Sequence, residues 1–188
     1  MTNSTFSRRT FSLGLLAGSA TLAGCANGIG NTNDQRIDAR VDQTLNFMYG
    51  TYPGTDRLRR NAAGMLVMPV VTEAGLGFGG SYGRGALRVD DITVDYYSTA
   101  SASVGPQIGA QQFAHVLFFM TEDALLDFRR ASGWAAGADI EYALQDRGEN
   151  VRAETTTSLA PIIAAIFGQA GFRVGATLEG TKYTRIIP

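Results

Sequence analysis

The sequence predicts an α+β fold: a curved, mostly antiparallel, glycine-rich β-sheet of barrel-like form, with N-terminal helices and one mid-chain helix packed on it. Three observations predict this class. Apolar residues recur at helical spacing in residues 34–48, the pattern becomes alternating after residue 63, and a helix start lies at residues 121–123, between two groups of strands. Helices, then strands, then a helix and further strands are typical of α+β domains.

Three helices are predicted from apolar spacing and from end signals. Residues 34–48 place an apolar side chain at every third or fourth position, which makes one apolar helix face. The Pro-Gly pair at residues 53–54 ends this region, and a short helix is expected from Thr55, its predicted N-cap, to Arg60. Thr121 is the predicted cap of the third helix, which has acids in its first turn and arginines in its last.

Runs rich in β-branched and aromatic residues predict the strands of the sheet. Pro69 interrupts the first run and is expected to end it or to form a bulge, because proline cannot donate to a strand ladder. Asp90 and Asp91 are typical of a hairpin turn between two of the strands. The predicted strands cover residues 65–71, 76–89, 92–104, 111–120, 136–145, 160–168 and 172–186.

The strand at residues 76–89 alternates between large and very small side chains. Because successive side chains point to opposite faces, one face carries Leu, Phe, Tyr and Arg while the other is nearly bare. Glycine inside a strand usually marks the close approach of another backbone or of a ligand. We therefore expect a close-packed glycine face, formed by Gly77, Gly79, Gly83 and Gly85.

The first 25 residues have the layout of a secretory signal. A basic pair, Arg8 and Arg9, precedes a short apolar run that ends in Leu-Ala-Gly-Cys at Cys25. This ending resembles a bacterial lipobox, in which the cysteine receives a lipid such as palmitate and becomes the new N-terminus. The arginine pair resembles a twin-arginine export signal, with the general secretory route as the alternative. The apolar run is too short to span a bilayer, which needs about 20 residues.

These signals divide the chain into a signal peptide at residues 1–25, a flexible tether at residues 26–33 and one domain at residues 34–188. Ala26 follows the cysteine, in the place where an aspartate would favour retention at the inner membrane. We therefore expect a lipid-anchored protein of the bacterial cell envelope, on the outer membrane and facing the periplasm.

Charge and residue counts exclude several classes of function. The chain has 16 Lys and Arg against 17 Asp and Glu, and loss of the leader's two arginines leaves 14 against 17. Nucleic acid is therefore not an expected partner, because it needs a strongly basic face. One cysteine and one histidine, His115, cannot form a zinc cluster or a disulfide. Gly75–Gly80 has the spacing of a dinucleotide fingerprint but no helix after it. We predict no catalytic residues, no metal and no cofactor.

Four stretches of the chain resemble the SYLF family, and they occur in the family's order. They are residues 62–88, which contain Gly-Leu-Gly-Phe-Gly-Gly-Ser-Tyr-Gly from Gly75, residues 102–111, residues 118–121 and residues 175–180. Eukaryotic members bind phosphoinositides and some bind actin filaments, whereas bacterial members are similar exported lipoproteins. The resemblance implies a lipid-binding module. It does not transfer the ligand, because neither phosphoinositides nor actin are expected in a bacterial envelope.

The resemblance implies lipid contact near the start of the domain, where Arg57, Arg59 and Arg60 form the densest basic cluster. Lys182 and Arg185 would join them only if the fold brings the chain ends together. A solvated helix face is the alternative reading of these arginines. The first functional hypothesis is a non-enzymatic envelope lipoprotein that binds membrane lipid through an anionic headgroup or an apolar chain. A structural module that binds an envelope protein partner is the alternative, and an unrecognised hydrolase is the third.

Overall fold

The computed structural model describes residues 32–137, 140–143, 160–168, 171–172 and 178–188. Within the unit Asn33–Pro188 these residues form three helices and seven strands. The helices are α1 (Asn33–Thr51), α2 (Thr55–Asn61) and α3 (Glu122–Arg130). The strands are β1 (Gly64–Val89), β2 (Ile92–Phe119), β3 (Trp134–Ala135), β4 (Ile140–Tyr142), β5 (Ile162–Gly168), β6 (Gly171–Phe172) and β7 (Lys182–Ile186).

One curved sheet contains all of the described strands, and β2 is at its centre. β1 runs antiparallel to β2 along nearly its whole length, from Gly64 opposite Phe119 to Val89 opposite Ile92. The other edge of β2 pairs with β7 near the hairpin turn and with β5 at the far end. β3 extends the sheet beyond β7, β6 pairs with β5, and β4 alone among the described strands pairs in parallel, also with β5. The predicted fold class is confirmed.

The hairpin turn between β1 and β2 is formed by Asp90 and Asp91, as the sequence predicts. Their φ angles are 50° and 63°, so both residues are left-handed. Two-residue turns of this kind match the twist of the flanking strands. Aspartate adopts the left-handed region more readily than most residues, because its short side chain can hydrogen-bond locally.

Both faces of the sheet are buried, which explains the continuous apolar runs of the sequence. One core lies between α1 and the sheet, and a second lies between the opposite face and α3. Along β1, Met65 and Val67 enter the first core, whereas Leu66 and Met68 enter the second. Neighbouring side chains point to opposite faces of a strand, so every residue of such a run is buried. The helix predicted over residues 34–48 is confirmed as α1, whose buried residues are Ile37, Val41, Leu45 and Met48.

A polar network fixes α1 on the sheet beside its apolar face. Thr93 Oγ1 and Tyr96 OH donate hydrogen bonds to the Asp38 carboxylate over 2.7 and 2.9 Å. The Arg88 guanidinium lies 3.7 Å from Asp38 and 2.7 Å from Asp42. Burial and the hydrogen bond to Asp38 raise the pKa of Tyr96 to about 12. These bonds join α1 to the hairpin end of β1 and β2.

Two predicted pairs of strands are continuous in the structure. Residues 65–71 and 76–89 both belong to β1, and residues 92–104 and 111–120 both belong to β2. The prediction of separate strands is therefore wrong. Glycine lets a strand bend while its ladder of hydrogen bonds to the neighbouring strand continues. The bulge expected at Pro69 is confirmed, since the register between β1 and β2 shifts between Met68 and Val71.

The N-cap predicted for α3 is confirmed, whereas the N-cap predicted for α2 is wrong. Thr55 is not the N-cap of α2, because Gly54 holds that position. Thr55 is instead the first helical residue, and its buried hydroxyl donates to the carbonyl of Tyr52 over 2.7 Å. The cap at Thr121 is confirmed, since its hydroxyl accepts the backbone N–H of Ala124 at 3.2 Å.

Of the three strands predicted after α3, one is confirmed and two are described only in part. The strand predicted at residues 160–168 is confirmed as β5. Residues 136–145 contain β4, and residues 172–186 contain β7. Residues 138–139, 144–145 and 173–177 of these two predictions lie outside the described residues.

Candidate functional site

The residues predicted for export and anchoring, Arg8, Arg9 and Cys25, lie outside the described residues. The signal, the lipid anchor and the tether therefore stay predictions. In the part of the chain that the structure describes, no helix combines the length and the apolar character needed to cross a membrane.

The predicted basic cluster on α2 is largely engaged in ion pairs. Arg59 donates to Asp91 through Nε at 3.2 Å and through a second bond, and it lies 3.8 Å from Asp56. Arg60 also pairs with Asp56. The hydrogen bond with Asp91 raises the pKa of Arg59. Arg57 is exposed and has no ion-pair partner among the described residues. α2 therefore presents one uncompensated positive charge rather than three.

Lys182 and Arg185 lie on β7, and no hydrogen bond or ion pair within the described residues joins them to α2. Arg185 lies 3.5 Å from Asp95 and donates to the carbonyl of Arg129 over 2.8 Å. The side chain of Lys182 passes Gly133, where an added Cβ would lie 2.7 Å from its Cε. These contacts connect β7 with β2 and with the end of α3.

Two of the four predicted glycines, Gly83 and Gly85, lie where β1 crosses its own first half. An added Cβ at Gly83 would lie 2.8 Å from the carbonyl oxygen of Val70, and one at Gly85 would overlap the carbonyl oxygen of Val67. Both glycines are buried. The structure that lies against them is therefore the backbone of β1 itself.

Gly77 and Gly79 lie earlier in β1, at a bend in the ribbon that β1 and β2 form. The side-chain surroundings of Gly77 lie outside the described part of the chain. An added Cβ at Gly75 would come within 2.7 Å of the Cα of Gly79, so the backbone bends sharply between these residues. The ladder register shifts at the same place, between Leu76 and Phe78, and Phe78 is 79% exposed. The bend directs the second half of the ribbon back across the first.

This crossing leaves a cleft between the first turns of α1 and the two halves of β1, which we call the arginine cleft. Its volume is about 360 Å³. Arg36 and Arg40 line it from α1, and Arg84 lines it from β1. No carboxylate occurs among its described lining residues, and neither arginine of α1 has an ion-pair partner in the described part. Arg84 Nε donates to the hydroxyl of Tyr82 over 3.0 Å.

A second cleft of about 230 Å³ opens beside the last turns of α1, and we call it the apolar cleft. Phe47 of α1, Phe113 of β2 and Phe167 of β5 line it. The rings of Phe47 and Phe167 stack with their centroids 6.0 Å apart, and 44% of Phe47 is exposed. Gly168 also lines the cleft, and an added Cβ there would meet only the carbonyl oxygen of Gln112, at 3.8 Å. Three polar residues also line the cleft, so its walls are mostly apolar, and an aromatic ring lies at its mouth.

The two clefts are neighbours along one groove between α1 and the sheet. Pro69 and Val70 line both of them. These residues form the bulge of β1 and have no partner in the ladder with β2. On α1, two of the lining residues, Arg36 and Phe47, are about 16 Å apart at the helical rise of 1.5 Å per residue. The groove is thus cationic beside the start of α1 and apolar beside its end.

The binding residues predicted from the sequence do not include Arg36, Arg40 or Arg84, although part of the signal is present in the sequence. A four-residue spacing places Arg36 and Arg40 on the same side of a helix. Arg84 belongs to the large face of the glycine-rich strand. The crossing of β1 over itself brings these residues together, and no local pattern in the sequence predicts it.

His115 lies in a core rather than in a cleft. Its side chain is 1% exposed, and its Nε2 lies 2.9 Å from the hydroxyl of Tyr183. Burial lowers the pKa of His115 to about 3, so the imidazole is neutral at neutral pH. Within the described residues, no three His, Cys, Asp or Glu side chains come together as a metal-binding group.

Residues 100–185 match the family model described as Ysc84, Las17-binding protein actin regulator. This match agrees with the resemblance of this part of the chain to the SYLF family. SYLF domains are binding modules for lipids or proteins and are not a known enzyme family. The match includes three of the four stretches that resemble the SYLF family, whereas α1 and β1 precede the matched range. No curated protein matches the chain.

Proposed function

We propose that the chain is a non-enzymatic, lipid-binding lipoprotein of the bacterial cell envelope, whose SYLF domain binds anionic phospholipid. The observation that carries this proposal is the groove between α1 and the sheet. Its arginine cleft suits a phosphate-bearing headgroup, because the guanidinium fork matches phosphate oxygens. Its apolar cleft suits an acyl chain, whose burial contributes about 0.8 kcal/mol per methylene.

In this proposal the lipid on Cys25 anchors the protein on the outer membrane, facing the periplasm, after export directed by Arg8 and Arg9. α1 begins at Asn33, eight residues after Cys25. A fully extended chain of that length spans at most about 28 Å, which is the farthest that the start of α1 can lie from an anchored Cys25. The arginine cleft lies at that end of α1, where anionic headgroups attract each nearby arginine by about 1 kcal/mol.

Co-sedimentation with vesicles tests the proposed function. The chain from Ala26 onward lacks the anchor and retains both described cores, whose residues lie between Ile37 and Tyr183. We expect it to sediment with phosphatidylcholine vesicles that contain phosphatidylglycerol, less so at high salt, and weakly with phosphatidylcholine alone. Absence of binding to either vesicle would contradict the proposal and favour the alternative, a module for an envelope protein partner.

Single substitutions in the same assay separate the two candidate basic surfaces. Arg57→Gln removes the arginine of α2 that has no ion-pair partner among the described residues, and Arg40→Gln removes one arginine of the groove. We expect Arg40→Gln to reduce vesicle binding more than Arg57→Gln. The reverse order would favour headgroup contact by α2, as the sequence alone predicts.

A further inference from the structure

We infer, on the basis of the proposed lipid-binding function, that the groove beside α1 binds a single phospholipid molecule. The phosphate lies among Arg36, Arg40 and Arg84, and part of one acyl chain occupies the apolar cleft. The domain then holds a lipid that is partly withdrawn from the bilayer, rather than only touching the membrane surface.

The charge at the arginine cleft favours an anionic occupant. Three arginines from two elements line it without a carboxylate among the described lining residues. Two acids of α1 are already engaged, since Asp38 accepts from Thr93 and Tyr96 and Asp42 pairs with Arg88. Elsewhere the described arginines that have carboxylate partners are Arg59, Arg60, Arg88, Arg129 and Arg185. The cleft therefore keeps like charges together, and a phosphate is the group that compensates them.

The apolar cleft accommodates part of a chain rather than a second complete ligand. Its volume of about 230 Å³ is below the roughly 300–1,000 Å³ of pockets that enclose a whole small molecule. Aromatic rings from α1, β2 and β5 line it, and the half-exposed Phe47 stands at its mouth. A flexible apolar chain that enters from one side fits this shape and chemistry.

The bulge of β1 joins the two ends of the proposed site. Pro69 and Val70 line both clefts, and Pro69 has no N–H, so it offers no unpaired donor to an acyl chain. The separation of about 16 Å along α1 is close to half of the roughly 30 Å hydrocarbon core of a bilayer. One lipid can therefore place its phosphate at Arg36 and its chain beside Phe47.

Titration with a monomeric single-chain lipid tests this inference. The probe is lysophosphatidylglycerol below its micelle-forming concentration, added to the chain from Ala26 in a calorimeter. We expect one site per chain. Affinity should rise about fourfold per added methylene until the cleft is full and then stay constant. Inorganic phosphate and glycerophosphate, which have no acyl chain, should bind far more weakly.

Two substitutions test the cationic end of the site. Arg40→Gln should weaken binding of the lipid about fivefold, because one arginine near the phosphate is lost. Arg130→Gln is the matched control: Arg130 is an exposed arginine of α3 without an ion-pair partner in the described part. It should leave the affinity unchanged.

Two further substitutions test the apolar end. Gly168→Leu adds a side chain to the apolar cleft where the Cβ has room, and it should weaken long-chain lipid by about tenfold or more while glycerophosphate binding is unchanged. Gly50→Leu is the control, because an added Cβ at Gly50 meets nothing within 4 Å. The chain-length series on the unsubstituted protein provides the same information if Gly168→Leu does not fold.

Three outcomes would overturn the inference: no dependence on chain length, no loss with Arg40→Gln, or more than one lipid per chain. If monomeric lipid does not bind while anionic vesicles still do, the single-lipid site is wrong and membrane-surface binding stands. If neither the monomeric lipid nor the vesicles bind, the proposed function itself is wrong.

Discussion

Gly83 and Gly85 allow β1 to cross its own first half at a backbone distance that excludes any side chain. Glycine is needed at these two positions because it has no Cβ. A left-handed backbone is not the reason, since neither residue has one. The crossing also forms one wall of the arginine cleft, which Gly83 lines. Folding and the shape of the candidate site therefore depend on the same positions.

Gly85→Ala should destabilise the fold by about 3 kcal/mol, because its methyl group would overlap the carbonyl oxygen of Val67. Gly50→Ala is the matched control on α1, where an added methyl meets nothing and the helix gains about 0.5–1 kcal/mol. Urea unfolding measures both. Similar free energies of unfolding for the two variants would show that the crossing has room for a methyl group at residue 85.

His115 should make the fold less stable in acid. Its pKa is lowered from 6.5 to about 3 by burial, so below pH 6.5 the unfolded chain takes up a proton that the folded chain does not. Stability should therefore fall by about 1.4 kcal/mol per pH unit below 6.5, or about 2 kcal/mol at pH 5. His115→Gln keeps a polar partner for Tyr183 and removes this titration. If both proteins lose the same stability between pH 7 and pH 5, the burial of His115 is not the cause.

α1 is the element that forms a wall of both clefts. Its apolar face packs on the sheet, and Asp38 ties it to Thr93, Tyr96 and Arg88 near the hairpin turn. Because the groove lies between α1 and β1, its width depends on how firmly this helix is held. We therefore expect stability and lipid binding to be coupled through α1.

Asp38→Ala should destabilise the domain by about 2 kcal/mol, because two hydroxyl donors and one guanidinium lose a charged acceptor. The same substitution should weaken lipid binding. Asp127→Ala, on the exposed side of α3 and without an ion-pair partner in the described part, should change stability by less than about 0.5 kcal/mol. Thermal unfolding of the two variants checks the difference, and equal effects would contradict the role assigned to Asp38.

The elements that the sequence predicts correctly depend on local patterns. α1 follows from apolar spacing, the cap at Thr121 from its position before two acids, and the bulge from Pro69. The continuity of β1 does not follow, because glycine-rich segments are typical both of strand breaks and of bends within a ladder. The ion pair between Arg59 and Asp91 cannot be predicted from the sequence either, since it depends on how the hairpin turn approaches α2.

At the scale of the whole molecule, the location of the positive charges matters more than their number. The chain after Cys25 has more acidic than basic residues, so a membrane of anionic lipid would not attract it as a whole. The arginine cleft provides a local positive surface at the start of α1, the end nearest the proposed anchor. Orientation of the domain on the membrane would follow from this arrangement.

Cys25→Ser should remove the anchor and leave the protein unprocessed or released from membranes by a high-salt wash, which weakens binding through headgroups alone. Ala26→Ser introduces the same side chain one residue later and should leave the protein in the membrane fraction. Cell fractionation measures both variants. Normal membrane retention of Cys25→Ser after the wash would contradict the lipoprotein assignment.

Hydrogen exchange of the chain from Ala26, with and without phosphatidylglycerol vesicles, tests the central claim most directly. The claim is that lipid binds in the groove beside α1. We predict that lipid slows exchange in α1 and in the segments of β1 around Pro69 and Arg84, while α2 and β7 are unaffected. Protection confined to α2 and β7, or no protection in the presence of bound vesicles, would contradict the claim.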